Sequence, residues 1–215
     1  GSGIHDDECD CAGNIEDCLG ECGGSAVEDE CGECGGDGIC LEDLSIDLTA
    51  GWNWFSLNVE GDDMSINTVL SSLNPSNYDF IKGFEGPATY YESGGQWFGA
   101  LETIDVTRLY KILSANGDQL TFTGSQVSPS TPIAVYNGWN WIGYLPQYDG
   151  SIDAALASLE TSNYDFIKGF EGTATYYTSG GQWFGTLDAM APLQGYMLQV
   201  EQASDLIYPD FGPDD

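Results

Sequence analysis

All seven cysteines of this 215-residue chain lie in its first fifth, at Cys9, Cys11, Cys18, Cys22, Cys31, Cys34 and Cys40. Two spacings among them, C-x3-C at Cys18/Cys22 and C-x2-C at Cys31/Cys34, could ligate one Zn2+ through four thiolates. The CxxC is single, however, and clustered cysteines in a segment too poor in apolar residues to make a core are expected to pair as disulfides in an oxidising, extracellular setting. Three bridges use six thiols, with fifteen connectivities among any six chosen. The seventh thiol stays free or joins another chain.

The same segment is dense in carboxylates, and no Lys or Arg precedes Lys82 to offset them. Hard oxygen ligands of this kind suit Ca2+, with Asp10, Asp17, Asp29 and Asp37 as the candidate ligands. No spacing follows the EF-hand series, so the reading is compositional and competes with a solvated acidic tail.

Catalysis has little to work with. The single histidine, His5, lies beside Asp6 and Asp7 near the start of the chain, away from any Ser or Cys it could activate in the rest. Carboxylate pairs hydrolyse glycosides without histidine. Asp79, Glu85, Asp165 and Glu171 recur in identical local contexts, which favours a scaffold role, and no catalytic residue is assigned.

Aromatic residues are the remaining candidates. Trp52/Trp54 and Trp139/Trp141 sit at period two, so each pair is expected to face one side of its strand, the core side. Tyr91, Gln96 and Trp97, with Tyr177, Gln182 and Trp183, flank Gly-Gly turns. There an exposed ring can stack on a sugar while the amide reaches its hydroxyls. Core packing of these rings is the competing expectation.

The charge balance restricts partners. Thirty-five Asp and Glu against four Lys and Arg give a formal charge of −31, although charged residues are only 18% of the chain. Missing bases, more than added acids, produce the imbalance. Nucleic acid and anionic membrane are excluded as partners, because Lys82, Arg108, Lys111 and Lys168 are too few for a basic patch of that kind. Six Trp, twelve Tyr and nine Phe argue against disorder. No run of eighteen apolar residues is present to span a membrane. The chain opens Gly-Ser-Gly without Met, which reads as a processed chain or a fragment.

An internal repeat positions these residues. Gly51–Trp54 (GWNW) returns at Gly138–Trp141, and Ser76–Leu101 returns at Ser162–Leu187 with 23 of 26 positions identical. Each copy reads as strands plus one short helix: Leu44–Val59 alternates, with an irregularity at Gly51, and Ser65 and Ser151 stand as helix N-caps. Ile152, Ala155, Leu156 and Leu159 fall on one helical face. Ser93-Gly94-Gly95 turns one hairpin. The fold class expected is mainly β, all-β or α+β. Two tandem copies of a small β-rich module follow a disulfide-rich irregular segment. The boundaries are 1–43 for the acidic segment, 44–124 for the first copy, 125–131 for a linker, 132–209 for the second copy and 210–215 for an acidic tail.

GWNW and GWNWIGYLP, a short helix, an aromatic block ending QWFG and a Tyr-containing strand together resemble the tandem GWN-type repeats of secreted and surface-anchored bacterial proteins. The resemblance covers about Leu44 to Pro209. DCAGN…DCLGECGGSAVEDECGECGGDGIC resembles the Cys/Gly/Asp repeats that precede such modules in marine bacteria, and its end is similar to the CGxCGGD stretch of secreted metalloproteases with thrombospondin motifs. Cys9, extra in DECDC, departs from that pattern and leaves an odd number of thiols. The resemblance implies an exported, non-catalytic part of an extracellular or cell-surface assembly. The expectation is therefore a structural subunit of a fibre or matrix, self-associating with help from Ca2+. The alternative is a bivalent adhesive module that binds polysaccharide through its Tyr and Trp.

Overall fold

A computed structural model describes residues 9–10, 12–27, 34–35 and 41–213. The chain divides into two compact units, Gly1–Leu41 and Glu42–Asp215. Both copies lie in the second unit and share one hydrophobic core.

In the first unit, Cys9 pairs with Cys22 and Cys18 with Cys34. Zinc ligation by Cys18 and Cys22 together is thereby corrected, since the two thiols belong to different bridges. Cys11, Cys31 and Cys40 lie outside the described residues, as do Asp29, Asp37, Asp214 and Asp215. Asp10 and Asp17 organise the loops between the bridges. Asp10 accepts from the Ala12 and Asn14 N–H groups and the Asn14 amide, and Asp17 from the N–H groups of Leu19, Glu21 and Ala26, all at 2.6–3.1 Å. These donors hold both carboxyls below the ordinary Asp range, the Asn14 side chain leading for Asp10 and the Glu21 N–H for Asp17. Ile15, Leu19 and Val27 are left exposed, so among the described residues of this unit covalent links, not apolar packing, hold the chain. Reduction is expected to open this unit and leave the second folded. Each bridge removes two protons, so the intact mass of unreduced protein should lie at least four protons below that of the reduced chain. A mass equal to seven free thiols would refute the pairing.

The second unit is built from short antiparallel strands: β1 (Leu41–Leu48), β2 (Gly51–Phe55), β3 (Val59–Glu60), β4 (Phe80–Lys82), β5 (Pro87–Tyr91), β6 (Gln96–Gly99), β7 (Tyr110–Ser114) and β8 (Asp118–Gln126) from the first copy. The second copy supplies β9 (Ile133–Val135), β10 (Gly138–Gly143), β11 (Gly150–Ser151), β12 (Phe166–Lys168), β13 (Thr173–Tyr177), β14 (Gln182–Gly185), β15 (Ala189–Met190), β16 (Gly195–Val200) and β17 (Ser204–Leu206). Each copy forms a five-stranded sheet of matching order, β2-β7-β4-β5-β6 and β10-β16-β12-β13-β14. Smaller sheets, β1-β8-β3, β11-β15 and β17-β9, complete the unit. The predicted linker begins as strand: Ser125 and Gln126 pair with Glu60 and Val59.

The helices are single turns, α1 (Ile66–Val69) and α2 (Ile152–Ala155). Ser151 caps α2 by accepting from the Ala154 N–H. Ser65 occupies the N-cap position without a capping bond, because its hydroxyl engages Asp63 instead. Ile152, Ala155, Leu156 and Leu159 are buried as their spacing predicts.

The copies interlock reciprocally. The Ser56 N–H donates to the Leu193 carbonyl at 3.0 Å, and the Gly143 N–H to the Thr107 carbonyl at 2.8 Å. Each copy thus gives the same bond to the other, a pseudo-two-fold relation within one chain. Inner-face residues of both sheets, including Phe55, Ile81, Ile112, Ile142, Ile167 and Leu198, bury themselves in the common core.

Candidate functional site: an aromatic face holding the cations

The side of each sheet that a residue faces is set at one turn. Gly51 and Gly138 have φ of +105° and +95°, conformations that disfavour any residue with a Cβ. The turn reverses the alternation, so that Asn53, not its Trp neighbours, points inward. Asn53 closes the turn through the Thr49 N–H, the Thr49 carbonyl and the Gly51 carbonyl at 2.8–3.1 Å. Asn140 does the same with Tyr136 and Gly138. The expectation that Trp52/Trp54 and Trp139/Trp141 face the core is therefore corrected. Trp52 and Trp139 are exposed, and Trp54 and Trp141 are half-buried.

Cross-strand register arranges the outer face in rows. Trp52, Leu113, Phe80, Thr89 and Phe98 lie side by side on β2, β7, β4, β5 and β6. Trp54, Lys111 and Lys82 form the next row. Trp139, Gln199, Phe166, Thr175 and Phe184 repeat the first row in the second copy. Trp52 meets Phe80, and Trp139 meets Phe166, edge-on at 6.2 Å between ring centroids.

The two outer faces meet around Lys111. Its Nζ lies 3.7 Å from the Trp54 ring centroid, 4.4 Å from that of Trp141 and 2.9 Å from Met197 Sδ. Trp54 packs on Phe170 and Trp141 on Phe84, at 6.2 and 6.5 Å. Lys82 stands over Trp52, Lys168 reaches toward Trp54, and Arg108 lies over Phe84 while pairing with Glu85. All four basic side chains of the protein thus border one aromatic surface. Burial, then the like charges of Lys82 and Lys168, brings the Lys111 ammonium down to about 8.

At each outer end is an aromatic triad. Tyr78 meets Tyr91 at 5.9 Å, and Tyr91 meets Phe98 at 6.1 Å. Tyr164, Tyr177 and Phe184 repeat the arrangement at 5.8 and 5.9 Å. Tyr78 and Tyr164 adopt φ of +73° and +75° while about two-thirds exposed. A bulky side chain is rare in that region and costs roughly 1–3 kcal/mol. Burial does not explain why an exposed ring is held there.

Among the sugar-binding candidates, Tyr91, Gln96, Tyr177 and Gln182 do lie on the outer face, exposed. Trp97 and Trp183 do not. Each pairs across its hairpin with the inward-facing Tyr90 or Tyr176 and is only 5% or 7% exposed, so neither ring has a face for a sugar. Phe98 and Phe184 occupy the outward positions instead. Of the repeated carboxylates, Asp79 and Asp165 are buried loop clamps. Asp79 accepts from the Ser76 and Ala115 N–H groups, and Asp165 from those of Ser162 and Glu201, at 2.7–2.9 Å.

A cleft of about 610 Å3 opens beside Trp54 and Phe170, lined also by Asp47, Glu171, Asp188 and Gln194. Among the described residues its lining contains no His, Cys, Lys or Arg. Among the described residues no group of three or more His, Cys, Asp or Glu is placed to hold a metal ion, and no helix is long and apolar enough to cross a membrane. Comparison of the chain with protein-family models, with curated proteins and with solved structures gives no match.

Proposed function

We propose that the protein is a non-catalytic extracellular structural subunit that self-associates through its aromatic face into a fibre or matrix at the cell surface. The two disulfides fit an oxidising extracellular environment. The observation that carries the reading is the size of the exposed face. Five aromatic positions in each copy stand exposed on it: Trp52, Tyr78, Phe84, Tyr91 and Phe98, with their repeats. At 150–250 Å2 per ring, ten half-exposed rings present on the order of 1,000 Å2. The largest apolar patch of an ordinary monomer is about 300–600 Å2, and one side of a standard interface is about 800 Å2.

Ca2+ enters this reading as a screen for the formal charge of −31, which opposes close approach of copies at low ionic strength. A second reading, polysaccharide adhesion, rests on the duplicated triads beside Gln96 and Gln182. Each would offer a sugar a ring platform next to an amide.

Light scattering over a Ca2+ and NaCl series separates the two. Assembly is expected for the parent chain and lost when Phe98 and Phe184 are both changed to Ser, with the melting temperature kept. A parent protein that stays monomeric in millimolar Ca2+ and high salt, yet binds on a glycan array, would replace this reading with adhesion.

A further inference from the structure

The geometry points to the occupant of the aromatic face: the acidic, disulfide-bonded N-terminal segment of a second copy, so that subunits join head to tail. This deepens the self-association reading and rests on it. Charge is the first argument. The chain has four basic residues, all bordering this face; Lys111 is enclosed by the indoles and Arg108 pairs with Glu85, so Lys82 and Lys168 are the cations left to a partner. A carboxylate-rich surface therefore finds its complement here and meets like charge elsewhere. Two such faces meeting each other would set cation against cation.

The second argument is the makeup of the segment. Ile15, Leu19 and Val27 are exposed, interleaved with the exposed carboxylates of Glu16 and Glu21. The face offers the matching mixture, aromatic rings for the aliphatic side chains and ammonium groups for the carboxylates. Two bridges and the Asp10 and Asp17 loop bonds fix the segment before it docks, which lowers the ordering cost of binding. Donor and acceptor are different surfaces, so the contact is heterologous. Repetition then gives a ring or an open filament.

The test uses full-length protein in two variants. One carries Lys82→Glu and Lys168→Glu on the face; the other carries Ile15→Ser and Leu19→Ser on the segment. Sedimentation velocity is expected to show each variant monomeric alone at concentrations where the parent assembles. Mixed in equal amounts, they should form dimers and nothing larger, because each retains one working end. A charge swap guards against a misfolded segment: Glu16→Lys with Glu21→Lys should restore assembly when combined in one chain with the two Lys→Glu changes. If the segment variant alone still assembles like the parent, the face has another occupant and self-association stands without this inference. Two monomeric variants that fail to pair on mixing overturn head-to-tail joining. A parent that never assembles overturns the self-association reading itself.

Discussion

Trp97→Ala and Trp183→Ala are each expected to cost about 3–5 kcal/mol of stability, whereas Phe98→Ala, one residue further on, should cost no more than about 1 kcal/mol. The contrast follows from strand alternation. Trp97 lies in the core, its ring 5.5 Å from that of Tyr90, and its backbone N–H donates to the Asn67 side chain at 2.8 Å. Truncation leaves a cavity whose surrounding strands are tied by hydrogen bonds and cannot collapse. Phe98 faces solvent, and its removal exposes little that is now covered. Urea unfolding of the three variants checks the prediction. Equal losses at 97 and 98 would mean that the hairpin pairs in the other register.

The second large effect concerns Lys111, which is 9% exposed. In the unfolded chain its ammonium titrates near 10.5, and in the fold at about 8. Below pH 8 both states are charged and the fold bears the full desolvation cost. Between about 8 and 10.5 the folded lysine is neutral while the unfolded one still binds a proton, so stability rises with pH across that window. The indole faces of Trp54 and Trp141 offset part of the cost. Lys111→Met is expected to stabilise the protein by about 1–2 kcal/mol at pH 7 and to remove the rise between pH 8 and 10. Above pH 10 both proteins should lose stability. Burial raises the Tyr110, Tyr144 and Tyr208 hydroxyls, and holds Tyr196 near 12, so the folded state resists an ionisation the unfolded chain undergoes. Denaturant midpoints from pH 7 to 11 test both limbs. A less stable Lys111→Met at pH 7 would show that the indole attraction exceeds the desolvation cost.

Much of the architecture was legible because it was written twice. The GWNW text, the hairpin turn at Ser93-Gly94-Gly95 and the α2 spacing each marked an element that is present, and the repeat predicted two sheets of one kind. The direction of the tryptophans was not legible. Alternation read from Leu44 onward carries Trp52 and Trp54 inward, but the positive-φ turn at Gly51 shifts the phase by one residue and reverses every later side chain. A signal for Trp97 did exist. Gln96 follows the turn opposite Tyr91, so pairing places Trp97 with Tyr90 and Phe98 outside. The gathering of the four cations around the tryptophans could not be seen from sequence. It depends on how two copies 86 residues apart pack together, which no local pattern records. Cysteine pairing was equally open, since spacing leaves fifteen connectivities for six thiols.

The reciprocal bonds between copies have a consequence for how such a protein could arise. A homodimer of single modules would build the same central contact, but identity would then be compulsory on the axis. Whatever stood at the Lys111 position would face itself, and two ammonium groups would share one slot between two indoles. Covalent duplication lifts that requirement. One copy keeps lysine, the other carries Met197, and the thioether accepts what a second ammonium would repel. Fusion thus permits an asymmetry that an isologous dimer forbids, at the one place where the symmetry would be most costly.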